Sequence, residues 1–495
     1  MKNASEKQEL SQAERDMMRR DLERLMESVS RNALLPPADV EEVRRKVFGY
    51  STFFVTATEL SAEYPGGVLF RGNKARGLRV ADCHAAVTAG VQALFGDRYL
   101  VVCMEEPPDP AAFFNGDSAV DSSPPPPPAA GAAAGGAGPA AGGASTVEEP
   151  QRISFVLVPS ELAQPPPTTG WQLALAAVLA LLTAGACAEL GLEAQLAQLP
   201  RETLEFFAQP GAFDALPPGS AIPGLDSLNI GALFSSAAPI TAGVLSCAAS
   251  HELGHALAAR LHSVKLSPPY LIPNGSLGTF GAVTQIKSVL QTRTQLFDVA
   301  FAGLAAGGAA SALLFLAGLA ASATGAHDLA VADGAAAVRA AALAAGLVPV
   351  PATLFQGSLL LGGLSTLALH PAGAEVFVHP AFVAGWCGLT ATALNALPIG
   401  ALDGGRIAMA AFGKRQLTPL SFGSYLGLAL GLLGGALSLP FGLYALIVQR
   451  VPERQPLDAV SPPQEGRRRA ATVALVAALA TLLPLSLSLP AGTGM

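Results

Sequence analysis

The chain has 495 residues, of which 51% are hydrophobic and only 14% charged. A soluble domain carries about 25% charged residues, so the shortfall argues against a wholly soluble protein and for a membrane one. The net charge of -7 comes without any basic patch interleaved with aromatics, which argues against nucleic acid as a partner. Cys83, Cys103, Cys187, Cys247 and Cys387 are scattered without a CxxC, so they suggest neither a disulfide framework nor a zinc ribbon.

Residues 1–36 read as a charged helical segment, with Leu10, Met17, Leu22, Leu25 and Met26 at loose helical spacing. It has no short apolar signal sequence, and it is too acidic for an obvious organellar transit peptide. Residues 37–162 read as a soluble α+β domain. "STFFVTATE" (51–59), "GGVLFRGN" (66–73), "RYLVVCMEE" (98–106) and "RISFVLVPSE" (152–161) have the Val, Phe, Tyr and Thr content of strands. "LRVADCHAAVTAGVQALFG" (78–96) has helix period. A Pro run followed by Ala/Gly repeats at 116–149 offers almost nothing to pack, and its composition predicts a disordered insertion.

Residues 163–495 read as a membrane domain, so the expected fold is mainly α. It is a polytopic helix bundle of about seven to eight segments with a small α+β domain ahead of it. The apolar runs are 171–190, 230–261, 296–321, a stretch at 335–369 broken by Pro349 and Pro351, 376–399, 422–448 and 470–490. The central "GGALSLP" of 422–448 suits a hairpin of two passes. Arg260, Lys265, Lys287 and Arg293, then Lys414 and Arg415, then Arg450, Arg454 and Arg467 to Arg469 can share one side of the bilayer. The acidic loop 191–230 then faces the other. This parity holds only if 335–369 crosses an even number of times, as a re-entrant stretch or short hairpin.

The second apolar run carries His251-Glu252-Leu253-Gly254-His255. HExxH puts two imidazoles at i and i+4 on one helix face, where both can bind one zinc ion with the Glu beside a metal-bound water. The bland alternative is a helix end whose histidines face water. Ionisable groups in an apolar run are costly, which favours function. A third ligand is needed. His262 lies two turns beyond His255, about 10 Å along a straight helix, and Ala258 and Leu261 break the metzincin register. "NALPIGALDGGR" (395–406) supplies Asp403 close to an apolar segment, with Gly404 and Gly405 allowing close approach to a helix or an ion. From spacing alone, Asp403 is equally a turn residue paired with Arg406 at i+3. Asn395 is either a polar group of the site or an interhelical contact.

HELGH in one apolar segment and N-x-x-P-x-x-x-x-LDGG in a later one resemble the site-2 protease class of intramembrane zinc metalloproteases. The resemblance implies zinc held by His251, His255 and Asp403, with Glu252 activating water. Asn395 would support the substrate strand or the developing oxyanion. "VFGYSTFFVT", "SPPYLIPNGSLGTFGAVTQIKS", "LFQGSLLLGG", "AGWCGLTATALNALPIGALDGGR" and "YALIVQRVPE" are similar to the plastid EGY-type branch over most of 40–470. That implies a multi-pass protein of a chloroplast membrane, the thylakoid first, with transmembrane proteins as substrates and the lipid bilayer as its surroundings. Three departures stand out. "GNKARG" is one residue longer than the branch's "GNLRG", Leu304 stands where the class tends to have proline, and the implied transit peptide is not evident. Some relatives lack HExxH and are thought to be proteolytically idle; this chain keeps it. The alternatives are such an idle scaffold or, given the broken apolar segments, a transporter without visible repeats. The glycines of 275–281, 303–308 and 356–363 suit either contact with an extended substrate, with 275–284 pairing as a strand, or plain helix packing.

Overall fold

The computed structural model describes residues 35–106 and 152–485, apart from 197–198, 200, 218, 225, 227–229, 330–333 and 372. The charged segment before residue 35 and the 116–149 insertion lie outside the described residues. The chain divides into two compact units, one of Met1–Ala163 with Leu457–Ser461, the other of the remainder.

The first unit contains α1 (Pro37–Lys46), β1 (Phe53–Leu60), β2 (Val68–Lys74), α2 (Val80–Phe95), β3 (Tyr99–Glu105) and β4 (Arg152–Pro159). The strands form one antiparallel sheet in the order β1-β2-β4-β3. Val80, Cys83, Val87 and Val91 recur at three- and four-residue steps, so α2 buries one stripe. That stripe packs in one core with Phe53, Phe70 and Phe155 from three neighbouring strands. The outer edge of β3 is not left bare. Cys103 donates its N–H to the carbonyl of Leu457 at 2.6 Å, and Ala459 donates to the carbonyl of Cys103 at 3.0 Å. Residues 457–461 thus run parallel to β3, and Val460 enters the core. Nothing in the local sequence announces that return.

The second unit is mainly helical. Its elements are α3 (Gly170–Glu193), α4 (Arg201–Ala208), α5 (Ile230–Leu261), β5 (Tyr270–Asn274), β6 (Gly278–Val283), α6 (Arg293–Leu329), α7 (Ala335–Ala344), β7 (Val348–Pro351), α8 (Leu359–Leu369), β8 (Glu375–Val378), α9 (Pro380–Asn395), α10 (Asp403–Phe412), α11 (Lys414–Ala429), α12 (Ser438–Tyr444) and α13 (Glu465–Leu482). Among the described residues, α3, α5 and the 293–325 part of α6 are each long and apolar enough to cross a bilayer; α8 and 435–449 are shorter apolar helices. Of the remaining expected segments, 335–369 and 422–448 are broken by Pro and Gly, and 470–490 is helical as far as Leu482. Pro349 and Pro351 sit in β7, which pairs with β8, so the apolar run from Val376 starts as a strand. It becomes helical only at Pro380, where His379 caps the first turn. Between α11 and α12, Gly431, Gly434 and Gly435 all have positive φ, which turns the chain as the glycine-rich sequence suggests. Helix α6 runs unbroken through Leu304, the position where a proline was expected from the resemblance.

Helices α5, α6 and α9 pack tightly against one another because glycines stand at their crossings. A Cβ on Gly254 would lie 2.3 Å from the carbonyl oxygen of Ala302, and one on Gly385 2.2 Å from the backbone nitrogen of Phe315. This close approach brings residues of α5 and α6 to the same buried spot, as in other small-residue helix contacts.

Candidate metal centre and active site

Helix α5 presents His251 and His255 one turn apart, with ring centroids 4.7 Å apart. The rings fit because α6 carries glycines beneath them. A Cβ on Gly303 would sit 2.3 Å from Cε1 and Nε2 of His255, and one on Gly307 2.8 Å from Cβ of His251. Packing against the histidines is therefore what these two glycines do. Gly362 likewise packs, against Phe355.

The tautomer of His255 follows from its neighbour. Nδ1 lies 2.8 Å from the carbonyl oxygen of Val299. A carbonyl only accepts, so Nδ1 carries the hydrogen and Nε2 of the neutral ring is left with a lone pair. That Nε2 faces His251 Nε2 at 3.0 Å and Asp403 Oδ2 at 3.3 Å, and the third edge, His251 Nε2 to Asp403 Oδ2, is 3.0 Å. The three side chains are 11%, 4% and 9% exposed. A hydrogen on His251 Nε2 bridges only one edge of this small, buried triangle, whereas a cation would join all three corners. Ligand bonds of 2.0–2.1 Å in a tetrahedral site put neighbouring donor atoms about 3.3 Å apart. The triangle fits a zinc ion, and the Nδ1–H to Val299 contact fixes the orientation in which His255 would present Nε2 to it.

Glu252 competes for the third position on distance alone, because one ligand atom each of His251, Glu252 and His255 lie within 4.8 Å of one another. Asp403 is the better donor. It is nearer to both rings, whereas Glu252 Oε2 is held by the Thr284 hydroxyl at 2.6 Å. Asp403 opens α10, where helix N-terminal dipoles favour a carboxylate. Gly404 and Gly405 let that first turn fold onto its own preceding loop, with would-be Cβ atoms 2.0 Å from the carbonyl oxygen of Ala396 and 2.3 Å from that of Gly400. Both local readings of Asp403 coexist: Oδ2 faces the histidines, while Oδ1 lies 3.5 Å from Arg406 Nη1.

Asn395, at the end of α9, donates through Nδ2 to the carbonyls of Phe280 at 2.6 Å and Ala391 at 2.9 Å. Both amide hydrogens are thereby committed, and β6 is tied to α9. The hairpin β5–β6 is antiparallel. Beside it a pocket opens next to His251, lined among others by Val244, Leu277, Thr279, Cys387 and Asn395. His262 is elsewhere. Its Nε2 meets Asp298 Oδ2 at 3.0 Å, and Arg467 grips the same carboxylate at 2.7 Å. Sequence reasoning missed Thr284 and Glu453 and took Arg406 only as a turn partner. Their contacts cross 32 to 122 residues of sequence and leave no local signature.

Comparison with known proteins bears on the same regions. The family model described as Peptidase family M50 matches residues 239–433, which includes both the HELGH turn and the LDGG loop. The model described as EGY3 middle domain matches 41–120. "Probable zinc metalloprotease EGY1, chloroplastic" of Oryza sativa subsp. japonica is 40% identical over 458 residues, covering 90% of this chain and 68% of that protein. Its Arabidopsis thaliana namesake is 38% identical over 453 residues, 90% and 71% of the two chains. "Probable zinc metalloprotease EGY2, chloroplastic" of Arabidopsis thaliana is 28% identical over 453 residues, 91% and 65%. No solved structure matches.

Proposed function

The chain belongs to the EGY family of chloroplastic zinc metalloproteases, with a site-2-type peptidase domain, and from that premise we propose how its residues divide the work of cutting a membrane protein. It is a multi-pass metalloendopeptidase of a plastid membrane, and its substrates are transmembrane or membrane-associated proteins. We place it in the thylakoid. The observation that carries the reading is the buried triangle of His251 Nε2, His255 Nε2 and Asp403 Oδ2, with edges of 3.0–3.3 Å and the Glu252 carboxylate beside it.

His251, His255 and Asp403 would hold zinc. When bound, the ion would supply Lewis acidity and lower the pKa of a water at the site to about 7. Glu252 is the general base: its carboxylate accepts the proton of the attacking water and delivers it to the leaving amine. Thr284 holds Oε2 of that carboxylate, which leaves Oε1 for the transfer. A helix satisfies its own amides, so the substrate must be extended before its carbonyl is accessible. The β6 strand beside the pocket supports such a segment by strand pairing. Asn395 serves here by fixing β6 against α9; with both amide hydrogens engaged it has no donor left for an oxyanion.

Cleavage of a model transmembrane substrate by the purified protein in lipid tests this reading. Wild type should cut, and Glu252→Gln should slow the cut at least about 10²-fold, the lower range for loss of a general base. Equal rates would overturn the role of Glu252, and zinc without cleavage of any membrane protein would favour an idle scaffold.

A further inference from the structure

We propose that Thr284 is a positioning residue for proteolysis, and that Arg406 and Glu453 fix it relative to the metal ligand Asp403. The proposal rests on the reading of Glu252 as general base. Thr284 follows β6 directly, 7% exposed, and donates its hydroxyl hydrogen to Glu252 Oε2 at 2.6 Å. Its own carbonyl accepts from Arg406 Nη2 at 2.8 Å. Arg406 is 6% exposed, and its Nη1 lies 3.5 Å from Asp403 Oδ1. Glu453 Oε2 meets Nε of the same guanidinium at 3.0 Å and Nη2 at 2.9 Å, balancing its charge.

The result is one continuous polar chain from Glu252 through Thr284 and Arg406 to Asp403. Only a planar fork with several donors can hold a carbonyl and two carboxylates at once, which is why arginine suits the position and lysine does not. The geometry also sets the hairpin. Fixing the carbonyl of Thr284 fixes the end of β6, the strand beside the pocket. The threonine hydroxyl thus holds the Glu252 carboxylate in register with the strand that would carry the scissile bond. Removing the hydroxyl frees Glu252 to rotate while the ligand triangle stays intact.

The experiment uses the full-length protein, purified with zinc, in lipid, with the model transmembrane substrate. Thr284→Val keeps the branched shape and loses the donor. Its kcat should fall about 10- to 100-fold, the range for a hydrogen bond to a charged group. KM should stay within about twofold and zinc per chain should not change, since no ligand is touched. Thr284→Ser, which restores the hydroxyl, should recover kcat to within about threefold of wild type. Wild-type kcat in Thr284→Val, with Glu252→Gln inactive, would overturn the positioning role and leave the base intact. Loss of zinc alongside kcat, or failure of serine to rescue, would show that valine only unsettles the hairpin, and would overturn it as well. Full activity of Glu252→Gln would instead remove the premise.

Discussion

At position 303 a methyl group has nowhere to go, because the imidazole of His255 already occupies the space 2.3 Å from where it would stand. Gly303→Ala should therefore push His255 off its triangle. The expected result is loss of most bound zinc and of cleavage, read by metal analysis and substrate turnover. Gly308→Ala on the same helix is the control. There an added Cβ would meet only Thr392 Cγ2, at an ordinary 3.6 Å, and both zinc and activity should be retained. The i, i+4 spacing of His251 and His255 dictates from sequence that their rings share a face. The identity of what lies beneath them is different in kind. A glycine on an apolar helix is compatible with substrate contact and with packing alike, and only the crossing of α5 and α6 decides between them.

At the scale of elements, the sequence made most of the helices and the first unit's strands legible because each has its own period. The four strand-like stretches at 51–59, 66–73, 98–106 and 152–161 correspond to β1 to β4, and 78–96 to α2. What it hid were pieces too short for a period. These are β7 and β8, of four residues each, and the 457–461 segment along β3. The last has a direct test. Ala459→Pro removes the N–H that bonds to Cys103 and sets a ring against the sheet edge. The substitution should destabilise the first unit by about 1–3 kcal/mol, the cost of an unpaired buried backbone group. Faster proteolysis of 35–163 in the full-length protein would register it; unchanged protection would mean the pairing contributes little.

Across the whole molecule, connectivity constrains topology more than hydropathy does. Ala163 and Leu457 belong to one folded unit, so the chain between them must leave and return on one side of the bilayer, crossing it an even number of times. Among the described residues, α3, α5 and α6 supply three candidate crossings, and the shorter apolar helices Leu359–Leu369 and Gly435–Gln449 are available for the rest of an even total. Single cysteines placed at exposed Glu161, Ser220 and Gln291 should label from opposite faces with a membrane-impermeant reagent. Positions 161 and 291 should react together and 220 from the other side, because α3 separates the first from the second and α5 the second from the third. Labelling of all three from one side would refute the crossing of both helices.

The segment along β3 also orders events in time. Leu457 is made 294 residues after Ala163 (457 minus 163), a delay of about 15–60 s at 5–20 residues per second of synthesis. Until that segment is present, the outer edge of β3 has no partner strand. That edge closes only after His251, His255 and Asp403 have all been made, so a completed first unit is also a record that the chain has been translated beyond them.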